Sequence, residues 1–559
     1  MRALADTVRS LPTGVALLED PVCNRGTAFT SDERARLGLD GLLPPVVETL
    51  EQQCARAYEA YRRKADDLER HIYLRALQDT NETLCYAVLR KHLAEMVPVV
   101  YTPVVAQACA QFSQIYRRPR GLFLPYPMRD ALELLLENRP RREVDVVVVT
   151  DGERVLGIGD QGAGGMGISI GKLQLYTLFG GVEPSRTLPV LLDVGTNNAD
   201  RLAEPDYIGW RHERVKDGAY FDFVDRFVDA VRRVLPGALL QWEDFARDHA
   251  APLLERYRDT LCTFNDDIQG TASVVVAVLT GALGVTRSRF RDQRIVIAGA
   301  GSAGLGLAAY LTQAMRSEGL SADEAHRQLF LVDRQGLLHD RLEGLTPGQR
   351  PYAQPFEAVA GFRRNGAGHV PLEAVLESAG ATVLIGVSAQ CGLFTESAVR
   401  AMAARIERPI VLPLSNPLDR CEAAPADLLR WTEGRALIAT GSPYGPVTYA
   451  GVTRRVAQCN NVYIFPAVGL GILSVGARRV TDGMMLAAAR ALGARSPARK
   501  DPSAPLLPSL DELLELTPDI AFAVAREAQD SGMAPATSED AVRAAIAARF
   551  WTPTYRPLL

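Results

Sequence analysis

Glu243-Asp244, in LLQWEDF, and Asp266-Asp267, in TFNDDIQGTA, place four carboxylates about one strand–helix–strand unit apart. Each pair follows a short apolar run that reads as a buried strand (238–242 and 260–264), with the helix-like ARDHAAPLLERYRD between them. A right-handed βαβ crossover brings both pairs to the carboxyl ends of parallel strands, where α/β proteins keep their sites. Four converging carboxylates repel one another unless a cation neutralises them. Oxygen-only ligands suit a hard ion, Mg²⁺ or Mn²⁺. Helix capping and strand-end solvation are the plainer reading of the same residues.

A second chemistry lies downstream. GAGSAG, with Gly299, Gly301 and Gly304, follows the apolar run RIVIA and opens a helix-like segment. Glycines at this spacing permit a tight turn and let a pyrophosphate approach the backbone N–H groups of Ser302 and Ala303 at a helix N-terminus. The next strand, LFLVD, ends on Asp333, placed to accept a ribose hydroxyl. SEGLSADEAHRQ lengthens the crossover between them. A further glycine-rich stretch, GIGDQGAGGMG (157–167), has no acidic-ended strand after it. Its glycines read as packing residues that aim Lys172, at the opening of the helix KLQLYTLF, into a cleft. Lysine is a usable general base once its surroundings lower its pKa. On position alone it is more often a solvated charge.

Four further residues have chemistry open to them. Tyr101 sits in VPVVYTP, where Pro98 and Pro103 read as fixing an extended segment; a lone tyrosine is more often packing. Arg154, in DGERVLG, suits a carboxylate or phosphate, or a surface loop. Asn416 in LPLSNP and Asn461 in QCNNVYIFP could contact a ligand or satisfy turn backbone.

These residues need a scaffold of at least two domains, because 559 residues exceed one core. The expected fold class is α/β, divided as follows. Residues 1–130 are a helical N-terminal region and 131–270 a central α/β domain, with 460–535 packing back onto it. Residues 271–459 form a Rossmann-type doubly wound parallel sheet, and 536–559 a tail. Net charge is −4, with 47% hydrophobic and 23% charged residues. No basic stripe points to nucleic acid or an anionic membrane. Eight scattered cysteines without a C-x-x-C pair argue against zinc or a disulfide framework, and for a reducing compartment. The first 14 residues lack a secretory apolar core, and no apolar run approaches the ~20 residues that span a bilayer. Cytoplasm is the expected location.

Together RGTAF, GLLPP, YTP, RRPRGLF, VVTDGERVLGIGDQG, GKLQLYT, LDVGTNN, EDF, FNDDIQGTA, GAGSAG, LVDRQGLL, LPLSNP, ATGSP and QCNNVYIFP resemble the malic enzyme family, closest to its bacterial NAD-dependent members. The resemblance implies oxidative decarboxylation of L-malate to pyruvate and CO₂, with NAD and Mg²⁺ or Mn²⁺, and action on oxaloacetate. It implies that Glu243, Asp244 and Asp267 bind the ion with Asp266 behind them. Lys172 is then the general base, Tyr101 the general acid, and Arg154, Asn416 and Asn461 substrate or nicotinamide contacts. It also implies a homodimer or homotetramer. Ala467 stands where a glycine is common, which bears on Asn461. Asp333, together with Ala353 where NADP users tend to carry lysine, favours NAD. Two other functions fit much of the pattern: a malolactic enzyme, which makes lactate, and a non-catalytic dinucleotide sensor.

Overall fold

In a computed structural model, residues 12–556 and Leu558 are described. The reading of residues 1–11 as carrying no secretory segment lies outside them. Packing divides the chain into two units. Among the described residues, one comprises 12–239, 243–245, 548–556 and Leu558; the other comprises 240–242 and 246–547.

The first unit begins with helices, among them α1 (Asp67–Thr80) and α2 (Leu93–Val100). A separate helix, Leu50–Arg62, precedes α1. Asp66 ends the run between them, and its side chain accepts from Glu69 N–H as the N-cap of α1. The helical N-terminal region also contains a strand, β1 (Leu122–Pro125). β2 (Val146–Thr150) is buried at every position, as its VVVVT sequence dictates. α3 (Met166–Leu178) follows, then β3 (Thr187–Asp193). The last residues fold back onto this unit: Tyr555 Oη donates to Gln53 and accepts from Asn81, and Trp551 N–H donates to Gly181 O.

The division between units runs through β4 (Leu239–Trp242), whose neighbour is β5 (Thr263–Asn265). In the first unit β3 pairs in parallel with both β1 and β2, and β4 pairs in parallel with β5. β5 starts later than the expected 260. Thr260 and Leu261 N–H still bond to Tyr257 O, so those residues finish the preceding helix.

In the second unit α4 (Thr271–Thr286) leads into a seven-stranded sheet. Its strands are β6 (Ile295–Ala298), β7 (Leu329–Asp333), β8 (Gly336–Leu337), β9 (Val383–Gly386), β10 (Ile410–Pro413), β11 (Leu437–Thr440) and, after the β12–β13 hairpin (Val447–Tyr449, Val452–Arg454), β14 (Ala457–Gln458). The order β14-β11-β10-β9-β6-β7-β8 is parallel throughout except β7–β8. This is a doubly wound sheet, α5 (Ser302–Arg316) connecting β6 to β7. The chain reverses direction across the sheet between β6 and β9, the switch point where such sheets bind ligands. Three further helices, α6 (Phe465–Val475), α7 (Asp482–Ala494) and α8 (Leu510–Asp530), belong to the unit. α7 packs on α4 and α8, and α6 on α8. Packing thus groups 465–530 with α4 and the seven-stranded sheet.

The length expectation for apolar helices needs correction. Two helical runs, Leu93–Ala110 and Asp266–Thr286, are long and apolar enough to cross a membrane, though 56% and 72% of them are buried inside the protein. The second opens with two aspartates and its apolar residues fill the core of its unit, which accounts for its composition without a bilayer.

Candidate active site

Lys172 lies in the middle of α3, six residues past its start, and not at the helix opening that its sequence suggested. Gly167 and Gly171 do not break the helix, because its buried packing outweighs their propensity cost. Lys172 is 1% exposed, and its Nζ lies 2.8 Å from Glu243 Oε1. The same Nζ lies 5.2 Å from the centre of the Tyr101 ring, a cation–π distance. Tyr101 itself is 4% exposed and caps α2. Pro98 lies inside that helix, so the segment before Tyr101 is helical rather than extended. Behind it, His71 on α1 donates from Nδ1 to Val99 O at 2.9 Å; burial pulls that imidazole down to about 4.

Glu243 and Asp244 leave the end of β4. Glu243 N–H continues the ladder to Val149 O. Asp244 then adopts φ +55°, a left-handed conformation costing roughly 1–3 kcal/mol in a non-glycine residue. Two bonds hold it there: its carbonyl accepts from Arg154 N–H, and its Oδ2 from Leu156 N–H at 3.0 Å. The DGERVLGIGD loop is thereby tied to the acidic pair, and Arg154 is exposed on it. The far end of that loop is held by Arg214, which grips both oxygens of Asp160 at 2.7 and 2.8 Å. Burial works against the Asp160 charge, but the guanidinium outweighs it and keeps the carboxyl below its usual range. Arg214 carried no motif and escaped sequence reading. The glycine-rich stretch beside it is packing, as expected: a Cβ on Gly164 would lie 2.3 Å from Cys109 O.

β4 pairs with β5 so that Trp242 faces Asn265, and each acidic pair comes next in its strand. Glu243 and Asp244 carry two carboxylates past the end of β4 in the first unit, and Asp267 carries one past the end of β5 in the second. Three hard oxygen donors and no soft ligand fit a divalent ion such as Mg²⁺ or Mn²⁺. Asp266 is fully buried; Asn461 Nδ2 donates to its carbonyl at 3.1 Å and to its Oδ2 at 3.0 Å. Asn461 thus braces the acidic turn. Another brace was not legible in sequence. Asp482, the first residue of α7, accepts from Arg258, from Gln269 Nε2 (2.8 Å) and from Tyr310 Oη (2.7 Å). Gln269 Oε1 in turn accepts from Asn265 N–H. Burial, then the Asp482 charge, push the Tyr310 hydroxyl well above its usual range, so it remains a donor.

At the switch point, Gly299 has φ +113°, which only glycine adopts easily, and a Cβ there would meet Val387 O at 2.6 Å. A Cβ on Gly304 would lie 1.9 Å from Gly299 O. Gly301 differs: nothing lies within 4 Å of its Cβ position. That opening faces the start of α5, where Ser302 and Ala303 are the first helical residues and no side chain caps the helix. Open space beside uncapped N–H groups at a 15-residue helix's positive end fits a pyrophosphate. Asp333 closes β7 as expected; its Oδ1 accepts from Arg334 N–H and its Oδ2 from Gln349 Nε2. Asn416 follows β10 and its Oδ1 accepts from Ser442 Oγ.

Residues 78–258 match the family model described as malic enzyme, N-terminal domain, and 268–529 match malic enzyme, NAD binding domain. The chain is 53% identical over 543 residues to the NAD-dependent malic enzyme of Edwardsiella ictaluri, covering 97% of this chain and 96% of that one. It is 51% identical, over the same shares, to the enzyme of that name from Pseudomonas savastanoi. Among solved structures, the Entamoeba histolytica malic enzyme aligns over 92% of this chain and 91% of its own, with a TM-score of 0.54 at 24% identity. That of Pyrococcus horikoshii covers 82% and 89% with a TM-score of 0.53, and these two likenesses speak for the fold alone. On sequence matches spanning nearly its whole length, the chain belongs to the malic enzyme family.

Proposed function

We propose that this chain catalyses the oxidative decarboxylation of L-malate to pyruvate and CO₂ with NAD as electron acceptor, and that it also decarboxylates oxaloacetate. The observation that carries the reading is the buried Lys172 amino group, 2.8 Å from Glu243 and against the Tyr101 ring. A buried base, a phenol and a hard-oxygen cluster are the parts this chemistry needs.

In this reading Glu243, Asp244 and Asp267 hold Mg²⁺ or Mn²⁺, with Asp266 and Asn461 bracing the turn. The Gly299–Gly304 loop receives the pyrophosphate on the N–H groups of Ser302 and Ala303, and Asp333 takes the ribose hydroxyls. Arg154 pairs with a substrate carboxylate, while Asn416 and Asn461 orient substrate or nicotinamide. When bound, the ion would supply Lewis acidity toward the C2 oxygen, and the dinucleotide would accept the C2 hydrogen together with its bonding pair, as hydride. Lys172 takes the proton of the C2 hydroxyl, so that C2 becomes the carbonyl of oxaloacetate. As the C3–C4 bond breaks, CO₂ leaves with C4 and the bonding pair remains as an enolate. Tyr101 delivers its proton to C3, giving pyruvate, and Lys172 beside it returns a proton to the phenolate. Burial keeps water from competing for these transfers.

We further propose association into a homodimer or homotetramer, for which exposed Leu42, Val46 and Val47 offer apolar surface. A cytoplasmic location is supported by eight cysteines that are all free thiols.

The test is a product assay with malate, NAD and Mn²⁺. Pyruvate and reduced NAD in equal amounts, abolished by a chelator, support the reading. Lactate without net reduced NAD identifies a malolactic enzyme instead, and dinucleotide binding without turnover a sensor.

A further inference from the structure

We propose that Gln349 is a positioning residue that sets dinucleotide choice, by fastening the ribose-reading carboxylate of Asp333 to the pyrophosphate turn while leaving its charge intact. The proposal rests on the reading of this unit as the NAD site.

Gln349 lies sixteen residues beyond Asp333, in the loop LTPGQR. Its side-chain amide is used at both ends. Nε2 donates to Ala300 O, inside the glycine turn, at 3.1 Å, and to Asp333 Oδ2 at 3.2 Å. Oε1 accepts from Thr346 N–H at 3.1 Å, and Gln349 N–H returns a bond to Thr346 Oγ1. Both Nε2 partners can only accept and the Oε1 partner can only donate, so the amide has one permitted orientation. The loop is itself seated on α5, since a Cβ on Gly348 would lie 3.1 Å from Leu305 Cδ1. One side chain therefore fixes the distance between the two places where the dinucleotide is read: the turn after β6 and the acid after β7.

Its neutrality is the chemical point. Asp333 is oriented by two N–H donors, the Arg334 backbone on Oδ1 and Gln349 on Oδ2. Neither is a cation, so the carboxylate keeps its full charge toward the ribose. That charge accepts the two hydroxyls of NAD and repels the 2′-phosphate of NADP. Arg334, next in the chain, is exposed, and its side chain is a cation that a 2′-phosphate would seek. An ammonium in place of the Gln349 amide would pair with Asp333 and remove the repulsion.

The experiment compares wild type with Gln349→Met and Gln349→Lys, measuring NAD affinity by calorimetry and kcat/KM with each dinucleotide. Gln349→Met keeps the shape and loses the donors. It is expected to raise the NAD dissociation constant and KM ~10-fold, the usual loss for a hydrogen bond to a charged group, with a smaller change in kcat. Gln349→Lys is expected to lower the NAD-over-NADP preference at least ~10-fold. A residue that merely stabilised the loop would leave that ratio unmoved. Should the Met protein not fold, the ratio in the Lys protein, whose stem is of similar length, decides. Unchanged NAD affinity in the Met variant, or an unchanged preference in the Lys variant, overturns the inference. A wild type that prefers NADP or binds no dinucleotide overturns the cofactor reading, and the inference with it.

Discussion

Gly301→Ala separates ligand recognition from folding. Its backbone, at φ −81° and ψ −167°, lies where alanine is comfortable, and the added methyl meets nothing within 4 Å. Folding stability should therefore hold or rise, by about 0.4–1 kcal/mol, from the lost flexibility of the unfolded chain. The same methyl enters the space before Ser302 N–H and Ala303 N–H, where the pyrophosphate is read. Displacing one charge-assisted hydrogen bond there costs about 1.5–3 kcal/mol, or ~10–150-fold in the NAD dissociation constant. Gly304→Ala is the contrast. Its methyl would lie 1.9 Å from Gly299 O, so the β6–α5 turn must move, and overpacking of this kind costs about 1–3 kcal/mol or more. Thermal unfolding and calorimetric NAD titration of both variants give the comparison. The expected pattern is a stable Gly301→Ala protein with weakened NAD binding and a destabilised Gly304→Ala protein. Wild-type NAD affinity in Gly301→Ala would refute the assignment of this loop.

Other expectations follow from single contacts. Tyr101→Phe and Lys172→Ala should each lower kcat by ~10²–10⁴-fold while the circular dichroism spectrum stays native; near-normal turnover in either removes that residue from the proton transfers. His71 holds its first proton near 6.5 when unfolded but only at about 4 when folded. Between those values protonation favours the unfolded chain, so the His71 contribution is whole above pH 6.5. It falls by about 3 kcal/mol as the pH drops toward 4. His71→Asn has no such proton, so the stability gap between wild type and variant should move in the variant's favour over that window; a constant gap rules the mechanism out. Asp482→Ala strips one acceptor from Arg258, Gln269 and Tyr310. It should destabilise the second unit by roughly 1–3 kcal/mol, read as a lower denaturant midpoint, and an unaltered midpoint would show that the hub is idle.

The strands and the glycine turn were legible because their signals are local. An apolar run ending in Asp333, or RIVIA running into GAGSAG, states its own structure. FNDDIQGTA could be placed at a strand end for the same reason. What escaped was long-range or counter to propensity. Nothing near Asp482 in sequence announces that it receives Gln269, 213 residues earlier. Gln349, in a polar loop, looks like any turn residue until Ala300 and Asp333 are beside it. Lys172 lies inside a helix although glycines precede it at 167 and 171, and Pro98 lies inside one although proline usually ends helices. In both places burial decided the matter, on α3 and α2 respectively.

A direct titration of Mn²⁺, followed by electron paramagnetic resonance without substrate or dinucleotide, bears most closely on the carboxylate cluster. One strong site per chain is expected in the wild type, weakened ~100-fold or more in each of Glu243→Gln, Asp244→Asn and Asp267→Asn. Wild-type Mn²⁺ binding in any of the three would contradict its place among the ligands, and wild-type binding in all three would contradict the site.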